Sequence, residues 1–203
     1  MVARTLGAMA MAALALLAVQ VARAGEAAAE GKKLVVWDGE TAAKGGSWVT
    51  PKKDANYFKP QEKEAHSPKA ALEFHAEGEQ YLGGGWNWHS WWPEDAGDDI
   101  SGFKNLTFWI KVTGRKPVTL TVALNCSSTK KATAMLSILD YCKDAADGEW
   151  HEIVVPLEDF AKKEKTDFDP KTAWEADFGT WAEETDAVSL FIDDLGFDSR
   201  EKK

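Results

Sequence analysis

The stretch Gly83–Val112 reads GGGWNWHSWWPEDAGDDISGFKNLTFWIKV. Its last eight residues, NLTFWIKV, alternate apolar and polar side chains, which is typical of a β-strand that buries one face. Its first part packs four tryptophans into seven residues just before Pro93. These two halves determine how the rest of the chain is interpreted.

The tryptophan-rich half also alternates, so we predict a strand over Gly84–Ser90. A strand there places Trp86 and Trp88 on one face and Asn87 and His89 on the other. Pro93 would end this segment, because proline cannot donate a ladder hydrogen bond.

Alternation, together with short β-branched and apolar runs, predicts further strands along the chain. They lie at Lys33–Trp37, Ala70–Ala76, Asn105–Val112, Val118–Cys126, Ala132–Leu139, Glu149–Val155 and Ala187–Phe197. Residues 44–67 are polar and are interpreted as irregular, with a short strand near Trp48. Residues 157–163 could form one helical turn, and residues 165–185, which include Trp174 and Trp181, are expected to be a long loop. Many short strands without a long helix predict an all-β fold, an antiparallel β-sandwich.

The N-terminus has the pattern of a signal peptide. Arg4 precedes the uncharged apolar run Leu6–Val19, and Ala22-Arg23-Ala24 fits a cleavage site before Gly25. The run is shorter than the roughly 20 residues that span a bilayer, although an uncleaved anchor is the alternative. We therefore expect a secreted or periplasmic protein.

This interpretation divides the chain into four parts. Residues 1–24 are the signal peptide, 25–32 a flexible lead-in, 33–198 the sandwich domain and 199–203 a C-terminal tail. The full sequence carries a formal net charge of −9, which argues against nucleic acid and anionic membranes as partners. A neutral partner or a cation suits this charge, and we expect a monomer.

The two cysteines are Cys126 and Cys142. Export favours disulfides, but the predicted strands place these residues at opposite ends of neighbouring strands. That separation exceeds the reach of a disulfide unless the loop at residues 140–143 folds back.

Three phrases in order resemble the galactose-binding-domain-like jelly rolls found among carbohydrate-binding modules. They are DDISGF leading into LTFWIK (98–111), DGEW leading into VVPLEDF (147–160), and FIDDLGF (191–197). Their order is similar to that of family 11-type modules and of the C-terminal sandwich of exo-acting β-glucanases. The resemblance covers about residues 33–197 and implies a non-catalytic protein that binds a polysaccharide, such as a β-glucan.

The resemblance also implies one structural calcium ion. Relatives take its carboxylates from just after the first strand and from the last strand, which here correspond to Asp38 or Glu40 and to Asp193 or Asp194. Calcium prefers six to eight oxygen ligands, so acids clustered there would suit it. The alternative is that these acids belong to a turn and a solvated strand end.

Sugar binding needs flat apolar rings for the C–H face of a pyranose and polar groups for its hydroxyls. The candidates are Trp88, Trp91 and Trp92 for stacking, and Asn87, His89 and Asn125 for hydrogen bonds. A sandwich core also contains tryptophan, so a structural or protein-interaction domain is the second hypothesis.

A small glycan-active hydrolase is the third hypothesis, since glycoside hydrolysis uses two carboxyl groups about 5–10 Å apart. The available acids are Glu94, Asp95, Glu175, Asp177, Glu183 and Glu184. None lies in a recognisable catalytic motif, and the four histidines lack the spacing of a metal site.

Overall fold

The computed structural model describes residues 32–39, 46–89, 97–126, 135–162 and 168–201. Within these residues the chain forms eleven strands, a 3-10 turn at Ile138–Asp140 and one short helix. In chain order the elements are β1 (Lys33–Trp37), β2 (Gly46–Thr50), β3 (Tyr57–Gln61), β4 (Ala71–Ala76), β5 (Tyr81–Asn87), β6 (Asn105–Gly114), β7 (Thr119–Cys126), β8 (Leu136–Ser137), β9 (His151–Pro156), α1 (Leu157–Lys162), β10 (Ala173–Trp181) and β11 (Val188–Asp198).

The strands form two sheets in which every neighbouring pair is antiparallel. The back sheet has the order β3-β4-β11-β6-β9, and β1 pairs with the second half of β11. The front sheet has the order β2-β5-β10-β7-β8. The central strands are therefore β11, close to the C-terminus, and β10, from the region that sequence analysis assigns to a loop.

The core lies between the two sheets because each strand turns its apolar side inward. Leu82, Val122 and Phe178 face the core from the front sheet, and Phe74 and Phe108 meet them from the back sheet. The rings of Phe108 and Phe178 pack edge to face with centroids 5.2 Å apart. Burial of these side chains supplies the main stabilisation of the sandwich.

The predicted antiparallel β-sandwich is confirmed. The helical turn is present as α1, and the tryptophan-rich strand begins and ends three residues earlier than predicted, at Tyr81–Asn87. The predicted strand over Ala132–Leu139 falls partly outside the described residues, and its described part forms β8 and the 3-10 turn.

Two predicted irregular regions contain strands. The polar stretch 44–67 includes β3, whose Tyr57 and Lys59 side chains surround the buried Glu73 on the outer side of the back sheet. The expected loop 165–185 contains β10. Both strands place polar side chains outward, and this hides their alternation from an analysis that looks for apolar residues.

Cys126 and Cys142 do not form a disulfide bond with each other. Burial raises the pKa of the Cys126 thiol to about 11, so it remains protonated. Within the described ranges, no helix has the length and apolar character needed to cross a membrane.

Candidate functional site

Four strands contribute in register to the outer face of the front sheet, which is exposed at its Tyr81–Trp181 end and largely buried around Asn87 and Glu175. One cross-strand row contains Trp48, Gly85, Asp177 and Ala123, from β2, β5, β10 and β7. The neighbouring rows on this face contain Asn87, Glu175 and Asn125; Gly83, Gly179 and Thr121; and Tyr81, Trp181 and Thr119. The alternate residues of the same strands form the core, so this face is the outer side of the sandwich.

Glycines let two aromatic rings lie close against the sheet. A methyl group at Gly85 would lie 2.3 Å from Nε1 of Trp48, and one at Gly83 would lie 2.3 Å from the hydroxyl oxygen of Tyr81. Real Cβ atoms do not approach other atoms so closely, which explains why these positions lack a side chain. The Trp48 ring therefore rests over Gly85 and the Tyr81 ring over Gly83.

The aromatic residues of this face are among the most exposed large apolar residues described. Tyr81 is 39 % exposed and Trp181 is 37 % exposed. The two are paired across β5 and β10, and Trp48 is half-buried on β2. Four residues along β5 separate the row of Trp48 from that of Tyr81, a distance of about 13 Å. The rings thus line an extended platform that suits a ligand longer than one pyranose.

A carboxyl pair lies in the middle of this platform. The side-chain nitrogen Nδ2 of Asn125 donates to Oε1 of Glu175 at 2.8 Å and to Oδ2 of Asp177 at 2.6 Å. Glu175 is only 2 % exposed, and Asp177 is half-buried beside it. Asn125 therefore holds the two acids together at the centre of the sheet.

The remaining oxygens of the pair require a proton. Oε2 of Glu175 and Oδ1 of Asp177 are buried and accept no hydrogen bond from the described residues. Asn125 Nδ2 brings the two carboxyl groups close together, and a proton on one of them would remove the repulsion between two adjacent charges. Burial, followed by the charge of Glu175, raises the pKa of Asp177 well above its usual range, and burial also raises the pKa of Glu175. The pair therefore keeps one proton at pH values where isolated acids have none.

This geometry does not match a glycosidase. Retaining enzymes separate their two carboxyl groups by about 5 Å and inverting enzymes by more, so that a sugar or a water molecule fits between them. Glu175 and Asp177 instead both accept from one nitrogen, Nδ2 of Asn125, and Glu175 is only 2 % exposed, so the pair is held by the sheet itself and does not flank a cleft.

The shared proton gives a prediction for stability. Because folding raises the pKa of Asp177 above its unfolded value, its contribution to stability is fully present below about pH 4 and is lost as pH rises through the folded pKa. Asp177→Asn removes this titration, and its amide can still donate to Glu175. We expect the variant to gain on the order of 1 kcal/mol in free energy of unfolding at pH 8 and nothing at pH 4. Urea unfolding at both pH values measures the difference, and an equal effect at both would contradict it.

Two of the residues predicted to bind sugar lie on this face, Asn87 and Asn125. Asn87 is fully buried, its Oδ1 accepts the backbone N–H of His89 at 3.1 Å, and its Nδ2 has no partner among the described residues. The His89 ring lies beyond the end of β5, with Nδ1 3.5 Å from Oδ1 of Asp98. It is thus at the margin of the platform.

Trp88 does not offer its ring to a ligand, which differs from the prediction. It is 7 % exposed, packs edge to face against Phe197 and donates its indole N–H to Asp98 at 3.0 Å. The residue follows the buried Trp86 at a spacing of two, so the same alternation directs both rings into the core. Trp91 and Trp92 lie outside the described residues.

The predicted calcium ligand Asp193 is bound by backbone groups of the chain itself. Asp193 is fully buried, and its carboxylate accepts the backbone N–H groups of His66 at 2.9 Å, Ser67 at 2.7 Å and Asp194 at 2.8 Å. Among the described residues no group of three or more His, Cys, Asp or Glu side chains could hold a metal ion, and Glu40 lies outside them. The calcium set of Asp38, Glu40, Asp193 and Asp194 stays a prediction.

The residues of the platform that sequence analysis missed share one signal. On β10 the outward positions are two residues apart and hold Glu175, Asp177 and Trp181, with Gly179 between the last two. Tyr81 begins β5 and lies on the same side as Gly83 and Gly85. Trp48 lies in the short strand that was expected, and its pairing with Gly85 was not foreseeable.

Comparison with known proteins agrees with this architecture. The sequence profile of the family described as Carbohydrate binding domain 30 matches residues 32–199. None of the curated proteins compared with the chain matches it.

Several solved structures share the fold at low identity. A family 30 carbohydrate binding module superposes with a TM-score of 0.63 and 13% identity, over 85% of this chain and 90% of that one. The family 30 module of a cellulosomal cellulase of Clostridium thermocellum gives 0.60 and 13%, over 84% and 99% of the two chains. A family 11 module from Clostridium thermocellum, in complex with a β-1,3-1,4-mixed-linked tetrasaccharide, gives 0.53 and 13%, over 84% and 98%.

Proposed function

This chain belongs to the carbohydrate binding domain 30 family and is a carbohydrate-binding module; from that premise we propose that the open face of its front sheet binds a β-glucan or a related neutral polysaccharide. The observation that carries the proposal is the register of three aromatic rings, Trp48, Tyr81 and Trp181, on one exposed sheet face. The C–H faces of successive pyranoses would stack on these rings. The β-glucan class is supported by the similar family 11 module, whose structure is a complex with a β-1,3-1,4-mixed-linked tetrasaccharide.

The polar groups between the rings suit sugar hydroxyls. A hydroxyl both donates and accepts. Both hydrogens of the Asn125 amide are donated to Glu175 and Asp177, so the amide oxygen Oδ1 of Asn125 is the acceptor that this part of the platform offers to a sugar hydroxyl. No lysine or arginine lies in the described cross-strand rows, so an anionic glycan would meet the carboxyl pair without a counter-charge. A neutral glycan is therefore the preferred ligand.

We further propose that the protein acts without catalysis, outside the cytoplasm, after removal of residues 1–24. The binding of both Glu175 and Asp177 by one nitrogen of Asn125 supports the absence of glycosidase chemistry, and the signal-peptide pattern supports export. A structural calcium ion near Asp193 belongs to the same proposal.

Isothermal titration calorimetry with soluble polysaccharides tests the function. The mature protein is titrated with mixed-linkage β-glucan, xylan, mannan and the anionic polymer alginate, with and without calcium. We expect saturable binding of the β-glucan and no heat with alginate. Absence of binding to every glycan by a folded protein would contradict the proposal and favour a protein-interaction domain.

The close packing of the Trp48 ring on Gly85 gives a second, smaller prediction. Gly85→Ala places a methyl group on Trp48 and Asp177, so the ring has to lift away from the sheet. We expect about a tenfold loss of β-glucan affinity, corresponding to about 1.4 kcal/mol. Gly102→Ala is the matched control, because nothing lies within 4 Å of its added Cβ. Equal affinities of the two variants in the same calorimetric titration would show that packing of Trp48 on Gly85 is not needed for glycan binding.

A further inference from the structure

The aromatic pair Tyr81 and Trp181 lies at two strand ends. Tyr81 is the first residue of β5, Trp181 is the last residue of β10, and the two pair across these strands. They are also the most exposed aromatic residues of the platform. Strand ends open more readily than strand centres, because fewer interactions hold them. The order of this pair therefore depends on what holds the chain just beyond these ends.

Three connections lie side by side beyond this end of the platform: the one before β5, the one between β6 and β7, and the one between β10 and β11. The backbone N–H of Ala182 donates to the carbonyl oxygen of Gln80 at 2.9 Å. The backbone N–H of Val118 donates to the carbonyl oxygen of Trp181 at 2.8 Å. These bonds continue the sheet past Trp181 on both of its sides.

Arg115 binds these connections to one another from inside the protein. It belongs to the connection between β6 and β7 and is only 4 % exposed. Its Nη1 donates to the carbonyl oxygen of Glu79 and, at 3.0 Å, to that of Asp186. Its backbone N–H donates to the carbonyl oxygen of Ala187 at 3.0 Å. One buried side chain thus joins the connection before β5 to the connection after β10.

A second side chain makes a similar link from outside. Nε2 of the exposed Gln80 donates to the carbonyl oxygen of Glu183 at 2.8 Å. Arg115 makes the stronger link, because a charged donor binds a carbonyl group more tightly than a neutral one. Its Nε and Nη2 have no hydrogen-bond partner among the described residues. The two carbonyl groups bound by Nη1 are therefore the polar contacts that fix its side chain.

We propose that Arg115 and Gln80 are positioning residues of the glycan-binding face: they hold the connections beside Tyr81 and Trp181, so that this aromatic pair is ordered before a ligand binds. This inference rests on the proposed function and deepens it. Arg115 is too buried to touch a glycan and acts only through the pair. A ligand that has to order two aromatic side chains itself binds more weakly, because the lost side-chain freedom opposes binding. Trp48 lies on β2, opposite Gly85 and away from these connections, so its ring does not depend on them.

Calorimetric titration with mixed-linkage β-glucan tests the proposal. Arg115→Met removes the charged donor and keeps a long apolar side chain, and we expect its affinity to fall roughly tenfold. Gln80→Ala should lose about threefold. Arg115→Lys should bind within about twofold of wild type, since one nitrogen already makes both carbonyl bonds. Arg200→Met is the matched control: Arg200 binds Asp198 and Glu152 of the back sheet, and its loss should leave the affinity unchanged.

The order of the indole N–H groups in the free protein separates positioning from a merely structural role. The heteronuclear NOE of Trp181 should fall in Arg115→Met and recover in Arg115→Lys, whereas that of Trp48 should keep its wild-type value in both. A loss of global stability alone would change neither group in the folded protein.

An unchanged Trp181 NOE in folded Arg115→Met, or an affinity of that variant within about twofold of wild type, would overturn the proposal. If Arg115→Met does not fold, Gln80→Ala decides by the same two measurements, because its side chain is exposed. If the folded wild type binds no glycan, the proposed function fails, and the Trp181 NOE alone decides whether Arg115 orders the aromatic pair.

Discussion

Replacement of both Trp48 and Trp181 by alanine is expected to lower the affinity for a β-glucan roughly 1,000-fold, to the limit of detection. Exposed aromatic anchors at the centre of an interface each contribute about 2 kcal/mol, and each 1.4 kcal/mol is a factor of ten. Trp181 is 37 % exposed and Trp48 is half-buried on the edge strand β2. The loss should therefore affect binding far more than folding.

The matched control for this double variant is Trp150→Ala. Trp150 is a half-buried tryptophan on the outer side of the back sheet, where its edge meets His66 and Phe191. Calorimetry should show wild-type affinity for Trp150→Ala, and circular dichroism should show the sandwich signal in both variants. A double variant that binds within threefold of wild type would exclude the front sheet as the site.

Asp193→Asn is expected to cost about 3 kcal/mol of unfolding free energy. The buried carboxylate accepts three backbone N–H groups, two of them from the loop at His66 and Ser67. An amide group would turn one acceptor into a donor that faces other donors. That loop also stacks His66 on Trp109, with ring centroids 3.7 Å apart, so its detachment exposes the back sheet.

Asp194→Asn is the appropriate comparison, because Asp194 follows directly and is about one-third exposed. Its φ of +47° is one that asparagine tolerates. We expect a change within about 0.5 kcal/mol in urea unfolding. Equal losses in the two variants would show that Asp193 does not anchor the loop. Repeating the unfolding with calcium and with a chelator also tests the predicted calcium ion.

Periodicity predicts most of the fold because apolar alternation reports burial directly. The strand at Asn105–Gly114 carries its apolar residues on one side, and the strand at Lys33–Trp37 is a short apolar run, so a search for apolar residues finds both. The central strand β10, AWEADFGTW, also alternates, but its outward residues are two acids, a glycine and only at its end a tryptophan. In a module whose open face carries polar groups, the strand that contributes most to the site resembles a loop in sequence.

The site itself was only partly predictable. Alternation correctly separates Asn87 from Trp86 and Trp88, but it does not indicate which side is solvent, since a sandwich core also accepts tryptophan. The contact between Trp48 and Gly85 joins residues far apart in sequence and depends on sheet order. The pairing of Glu175 with Asp177 depends on both acids being outward on one strand, which requires the strand to be recognised first.

The most direct test of glycan binding by the front sheet is the set of indole N–H resonances of the ten tryptophans, assigned by single substitutions and followed by NMR during titration with mixed-linkage β-glucan. We predict saturable shifts of Trp48 and Trp181, and unchanged resonances for the buried Trp37 and Trp86. Saturable shifts confined to Trp109 and Trp150 on the back sheet, with Trp48 and Trp181 unchanged, would contradict binding at the front sheet.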